Sequence, residues 1–245
     1  MSQTSIPPVG EEEGKKEKVE RMFDSIAPRY DLLNRVLSLG IDQSWRRKMV
    51  ATLARRCPSP KRILDVATGT ADVAIELRRL GPEAVVGVDI SEEMLAIGRE
   101  KVRDVGAGGV ITLATGDAQQ LSFQDDHFDA VTVAFGVRNF EQLGEGLREM
   151  ARVLRPGGAV VILEFSSPQR APMKQLYAFY SRHILPRVGR VVSGDKGAYT
   201  YLPESAAAFP FGERMARIIE EAGFEEVEVR PLTFGIVTIY SAVVR

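Results

Sequence analysis

Cysteine is nearly absent from this sequence: of its 245 residues only Cys57 is one. That excludes an internal disulfide and any cysteine-rich metal site, and it suits a reducing compartment. Cys57 itself reads as a small, semi-buried hydrophobe. Histidine is almost as scarce, with His127 and His183 alone, so a His-rich zinc or iron centre is not expected. An excess of one charge is also lacking, because 33 acidic residues nearly cancel 32 basic ones. Without a broad positive field a nucleic-acid partner is disfavoured. No stretch reaches the roughly 18 apolar residues of a spanning helix, and the opening MSQTSIPPVGEEEGKK has no apolar signal core. The expectation is a cytosolic protein that touches a membrane at most from one side.

What is present is ordinary for a single globular domain: 44% apolar and 27% charged residues in a length that one core can organise. Residues 1–18, with paired prolines, a Glu run and a Lys run, read as a solvated tail. The domain then occupies 19–245. Its first part, 19–56, is a helical cap, with Val19, Met22, Phe23 and Ile26 on one face and Leu32, Leu33, Val36, Leu37 and Leu39 following the break at Pro28. Strands are expected at 62–67, 84–89, 110–115, 128–134 and 159–164, with helices at 72–80, after a Ser91 N-cap, and at 143–153 before Pro156-Gly157-Gly158. Alternating helices and continuous apolar strands imply a doubly wound, mostly parallel sheet. A helix at 213–222 and strands at 225–231 and 236–244 complete seven strands, and the short last connection makes the final pair antiparallel. Between them, 166–210 is a proline-rich, aromatic insertion suited to a lid or substrate cap.

The first strand ends in Ala67-Thr68-Gly69-Thr70-Ala71-Asp72 and the second ends at Asp89, 89 − 69 = 20 residues beyond Gly69. That spacing suits a carboxylate reading the hydroxyls of a ribose at the carboxyl edge of a doubly wound sheet. The turn lacks the three glycines that seat a pyrophosphate, so a nicotinamide dehydrogenase is disfavoured and a nucleoside without phosphates fits better. S-adenosylmethionine, with an amino-acid tail and a sulfonium, is such a ligand. Asp65 is placed to hold its ammonium or orient the loop, and the backbone at Thr68, Gly69 and Thr70 approaches the tail. After the third strand, the Asp117 carboxylate and the Ala118 N–H are natural readers of adenine.

These segments resemble the class I methyltransferases, with a Rossmann-like sheet, and more closely the quinone-biosynthesis C-methyltransferases. The resemblance runs over about 19–244 and rests on MFDSIAPRYD (22–31), LDVATGT (64–70), AFGVRN (134–139), VLRPGG (153–158), LEFS (163–166) and LPRVG (185–189). The Arg-Pro-Gly-Gly turn identifies the superfamily, whereas 22–31 and 134–139 are narrower. The resemblance implies cofactor contacts at Thr70, Asp89, Asp117 and Ala118, with Ala134 at the floor of the site. Relatives often carry Ser at position 134 and Gly at position 71; the methyl of Ala71 is tolerated if the backbone there is helical. It also implies a polyprenylated quinol acceptor, most of all demethylmenaquinol, with a 2-methoxy-6-polyprenyl-benzoquinol as the alternative.

Methyl transfer to a quinol carbon is favoured when the neighbouring hydroxyl loses its proton, so a cation that stabilises phenolate is expected nearby. Arg138, after the fourth strand, is the leading candidate, either for that charge or for a structural ion pair with a neighbouring carboxylate. Asn139 is placed to orient a quinol oxygen and Phe135 to line the ring pocket. Tyr30, Asp31, Tyr180 and His183 are candidates for ring contact or proton acceptance. The aromatic and basic mixture of 173–186 suits a prenyl chain at an anionic lipid surface, or alternatively homodimer packing or a closed lid. Two other readings remain at this point: a methyltransferase for a different small molecule, and a non-catalytic scaffold that binds the same nucleoside.

Overall fold

Strand β1 (Arg62–Val66) lies between β2 (Ala84–Asp89) and β4 (Phe128–Ala134), paired in parallel with both, Val66 standing beside Val88 and Val133. Because chain order reverses on either side of β1, the crevice beyond its carboxyl end is the switch point where such sheets place ligands. The computed structural model describes residues 14–184, 205–206 and 208–245. The stretch at 185–189, most of the expected tail and much of the insertion lie outside these residues.

The sheet has seven strands in the order β3-β2-β1-β4-β5-β7-β6. Strands β3 (Ile111–Thr115) and β5 (Leu154–Phe165) extend the parallel part. Strand β7 (Val237–Val244) inserts antiparallel between β5 and β6 (Phe224–Leu232), so the chain end fills a gap rather than adding an edge. Alternate strand residues face two cores. On one side Ile63, Val85 and Val161 meet Trp45, Met49 and Leu53 of α3 (Ile41–Arg56), together with α4 (Asp72–Leu77) and α5 (Glu92–Asp104). On the other, Leu64, Val131 and Ile162 meet Leu147 and Met150 of α6 (Leu143–Val153) and Met215 and Ile219 of a C-terminal helix (Glu213–Glu221). Each fully buried Leu, Ile or Met side chain contributes about 1.5–3 kcal/mol, so both layers are needed to hold the central strands dry.

Sequence periodicity located the core elements well, with differences at their ends. The cap begins at Lys15 rather than Val19: α1 (Lys15–Ile26) and α2 (Tyr30–Ser38) are joined by a 3-10 turn at Ala27–Arg29 that contains Pro28. The 72–80 helix is α4 followed by a 3-10 turn at Arg78–Leu80. Strand β5 starts at Leu154 rather than Ala159: Phe128 pairs with Leu154 but Ala130 with Ala159, so the Pro156-Gly157-Gly158 turn bulges from the ladder. Ser91 is the expected N-cap, its Oγ accepting from Met94 N–H at 3.2 Å. Within the insertion, α7 (Met173–Phe179) leads into a π-turn at Tyr180–Ile184.

Candidate active site

At the carboxyl edge of the sheet, β1, β2 and β4 stop together and each turns sharply. Ala67, Ala71 and Phe135 take left-handed backbone angles, with φ of +51°, +64° and +58°. A side-chain-bearing residue there costs about 1 kcal/mol or more, a strain typical of ligand-binding loops. Ala71 therefore does not meet the helical condition under which its methyl is easily tolerated. Gly136 allows close approach: a Cβ there would stand 2.5 Å from the Ala67 Cβ. The loops after β1 and β4 thus close on each other beneath a pocket of about 80 Å³, lined among others by Gly69, Asp89, Met94, Asp117, Ala118 and Ala134.

Asp89 is the anchor of that pocket. One carboxylate oxygen accepts from Gly69 N–H at 2.8 Å and the other from Ser91 N–H at 3.0 Å. Burial pushes this carboxyl up, against the pull of the Ser91, Gly69 and Ile90 N–H groups. Asp65 lies one layer deeper and is 1% exposed, its two oxygens accepting from Thr68 Oγ at 2.6 Å and Thr132 Oγ at 2.7 Å. Burial pushes Asp65 up to about 6, the two hydroxyls offsetting part of the shift.

The helical cap forms the roof, fastened to the sheet edge by polar contacts at four places. Lys15 Nζ donates to Phe140 O at 2.6 Å, and Lys16 pairs with Asp117 at 2.7 Å. Ser91 Oγ donates to Asp24 at 2.5 Å, and Asp31 accepts from Thr70 Oγ at 2.6 Å and Lys101 Nζ at 2.8 Å. Burial alone would raise the Asp117 carboxyl, but Lys16 and the Gln119 N–H outweigh it and hold it below its ordinary range. Lys101 also reaches Asp72, which in turn faces Arg46 at 3.7 Å, so a partly buried chain of charges runs from the roof to α3.

Beyond Phe23, Tyr30 and Phe135, which belong to both walls, opens a larger and mainly apolar cavity of about 310 Å³. Its wall takes Leu33 and Leu37 from α2, Trp45 and Arg46 from α3, Leu176, Tyr177 and Tyr180 from the insertion, and Thr233 and Ile236 from the β6–β7 connection. Arg138 is the cation in the wall near β4, its side chain 3% exposed. Its Nη1 donates to the Phe135 carbonyl and pairs with Glu164 at 2.8 Å, and the guanidinium lies over the Phe165 ring at 5.3 Å. Arg138 Nε is buried and has no hydrogen-bond partner among the described residues, so it is a donor still to be used. Burial pushes the Glu164 carboxyl up against the opposing pull of Arg138.

This two-chambered edge can be compared with known proteins. The model of the ubiE/COQ5 methyltransferase family matches residues 11–244. The chain belongs to that family. It is 52% identical over 241 residues to a demethylmenaquinone methyltransferase of Bacteroides fragilis, covering 98% of each chain. It is 48% identical over 229 residues to the ubiquinone/menaquinone biosynthesis C-methyltransferase UbiE of Geobacter sulfurreducens, covering 93% of this chain and 88% of that one. The fold matches magnesium protoporphyrin IX methyltransferase (ChlM) of Synechocystis PCC 6803 with bound SAH, at a TM-score of 0.66, 19% identity, and coverage of 94% of this chain and 100% of that one.

With the family known, the expected site residues can be placed. Gly69, Asp89, Asp117, Ala118 and Ala134 come together in the smaller pocket. Asp65, Thr68 and Thr70 are not in its wall: they are buried beneath the loop and hold it through one another, Thr132 and Asp31. Asn139 faces the smaller pocket rather than the larger cavity, because the 3-10 turn Val137–Asn139 points adjacent side chains to opposite chambers. Arg138 joins both of its expected settings, a cavity wall and an ion pair. Tyr180 lines the cavity and donates to Leu37 O at 2.6 Å. His183 does not: it is exposed on the π-turn, its ring tilted by 47° against that of Phe179 at 5.0 Å between ring centres. Lys16, Met94 and Arg46 were missed. For Arg46 an available signal was Asp42 four residues earlier on the same helix, its ion-pair partner.

Proposed function

We propose that this methyltransferase carries a methyl group from S-adenosylmethionine to a ring carbon of a polyprenylated quinol, demethylmenaquinol in the first instance. The observation that carries this reading is the shared wall of Phe23, Tyr30 and Phe135 between a pocket anchored by Asp89 and an apolar cavity with Arg138 in its wall. The smaller pocket suits the donor. The Asp89 carboxylate, which accepts from the Gly69, Ser91 and Ile90 N–H groups, retains lone-pair capacity for a ribose hydroxyl, Ile90 and Met94 offer apolar faces to a base, and Asp117 with the Ala118 N–H meets its polar edge. Gly69, with φ of +54°, leaves open space where a Cβ would stand.

When bound, the donor supplies a methyl on an already activated sulfonium. The protein's part is therefore position and charge. Arg138, offering its free Nε, holds the negative charge that develops as the acceptor hydroxyl gives its proton to water; a guanidinium serves there as a fixed cation and not as the base. The ring carbon next to that oxygen bonds to the methyl while the carbon–sulfur bond breaks, its electron pair remaining on sulfur. Loss of the ring proton to water restores the aromatic ring as its phenolate, whose oxygen takes a proton back to give the quinol, so that one proton is released overall. Phe135 and Phe165, with ring centres 4.6 Å apart, and Trp45 keep this chamber apolar, which strengthens the pull of Arg138.

The name of the Geobacter sulfurreducens relative, which covers both quinone types, supports a second acceptor, the 2-methoxy-6-polyprenyl-benzoquinol. A polyprenylated acceptor resides in a bilayer, so the protein works at the cytoplasmic face of a membrane. Incubation with methyl donor and each quinol, followed by mass spectrometry, tests the reading. One added methyl on the naphthoquinol ring is expected; unchanged quinols with intact donor binding would leave only a nucleoside-binding scaffold.

A further inference from the structure

Nine large apolar side chains stand exposed among the described residues, and all but Val105 lie on three segments around the mouth of the acceptor cavity. Leu32 and Val36 belong to α2, Leu39 to the turn after it and Ile41 to the first position of α3. Leu176, Phe179 and Ile184 belong to α7 and its π-turn, and Phe234 tips the β6–β7 connection. The segments are tied together: Tyr180 donates to Leu37 O at 2.6 Å, and Trp45 Nε1, beneath them, donates to Thr233 Oγ at 2.7 Å. The two most exposed, Leu39 at 86% and Phe234 at 77%, are bulky residues in left-handed turn positions, with φ of +53° and +58°.

Charge follows the same pattern. Positions 32–41, 166–184 and 231–236 contain Arg35, Arg170, Lys174 and Arg182 and not one Asp or Glu, in a chain with a net charge of −1. All four cations are exposed. The acids that flank the first segment turn inward, Asp31 to Thr70 and Lys101, and Asp42 to Ser38 and Arg46. Isolated exposed hydrophobics need no explanation, but apolar tips gathered among basic residues with no acid match the composition of a face that lies in a lipid interface.

We propose that this collar seats the protein on an anionic bilayer surface, with the cavity mouth open toward the acyl chains. It rests on the proposed polyprenylated acceptor only for the direction of substrate entry. A second copy of the chain fits the face less well, because a two-fold contact would press one basic, acid-free face against another.

The test is flotation of the full chain, without quinol, on vesicles of phosphatidylcholine alone or mixed with phosphatidylglycerol. Binding to the anionic vesicles that weakens with salt is expected. The double variant Phe179→Ser/Phe234→Ser, outside the cavity wall, should lower partition about tenfold or more. Arg170→Gln/Lys174→Gln should lower it about fivefold per charge on anionic vesicles alone. Both variants should methylate a short-tailed, water-soluble quinol like the parent, while the Phe variant loses turnover of a long-tailed quinol held in vesicles. Unaltered flotation of the Phe variant would overturn the proposal, as would a dimer that it converts to monomer without change in vesicle binding. Partition is read without acceptor, so failure of the methylation reading would show separately, as an unmethylated soluble quinol.

Discussion

The smaller pocket, proposed for the donor, and the larger cavity, proposed for the acceptor, share three side chains but are built in opposite ways. The first is a product of one sheet edge: short loops after β1, β2, β3 and β4, polar contacts of 2.5–3.0 Å, and left-handed residues that hold N–H groups inward. The second is assembled from segments far apart in sequence, residues 22–46, 135–165, 173–180 and 233–236, and is held mainly by apolar packing. A pocket made by backbone geometry is intolerant at single positions. A cavity made by many side chains yields gradually, except at Arg138, the buried cation proposed to hold the developing charge.

That contrast can be broken most directly at Asp89. Asp89→Ala removes the carboxylate along with the partner of Gly69 and Ser91, and donor affinity measured by calorimetry should fall about 10²–10³-fold. Equal affinity would put the donor elsewhere. Arg138→Ala should lower kcat about 10²-fold or more while donor affinity changes less than about threefold, the signature of a group that acts on developing charge. It should also destabilise the fold, since Glu164 is left buried without its cation.

Asp65 sharpens the comparison, because it supports the donor loop from below. Its folded-state value of about 6 lies above the ordinary 3.8, so the folded chain keeps a proton that the unfolded chain releases. The stability from this group is complete below about pH 4 and is lost as pH rises through about 6, a change of about 3 kcal/mol at 1.36 kcal/mol per unit. Urea unfolding of Asp65→Asn should therefore show the variant gaining on the parent by about that amount between pH 4 and pH 7; a pH-independent difference would contradict the buried-acid assignment. Leu37→Ala, in the acceptor wall, should raise KM for a long-tailed quinol about three- to tenfold with donor affinity unchanged. The smallest effect belongs to Ala71→Gly. Relief of left-handed strain and loss of a buried methyl oppose each other, so chemical denaturation should show a net change below about 1 kcal/mol.

How much of this was legible depended on range. Asp89, Gly69, Asp117 and Ala118 lie in one pocket as spacing implied, because a parallel sheet places the ends of successive strands side by side. Asp65, Thr68 and Thr70 carry the same motif but turn inward, since a strand-to-helix turn alternates its side chains between pocket and interior. Asn139 and Arg138 are adjacent in sequence and face different chambers for a similar reason. For His183 the residue type and its aromatic neighbours in sequence say nothing about which face of a turn it occupies.

Residue order was enough for the alternation of strands and helices, the candidate nucleoside edge and the family, because periodicity and motif spacing are local and survive without knowledge of neighbours. Tertiary structure alone decided that β7 enters between β5 and β6, that the cap and the insertion meet over one cavity, and that Arg138 is buried against Glu164. These are contacts between residues distant in the chain, chosen by which apolar faces remain uncovered once the sheet has formed.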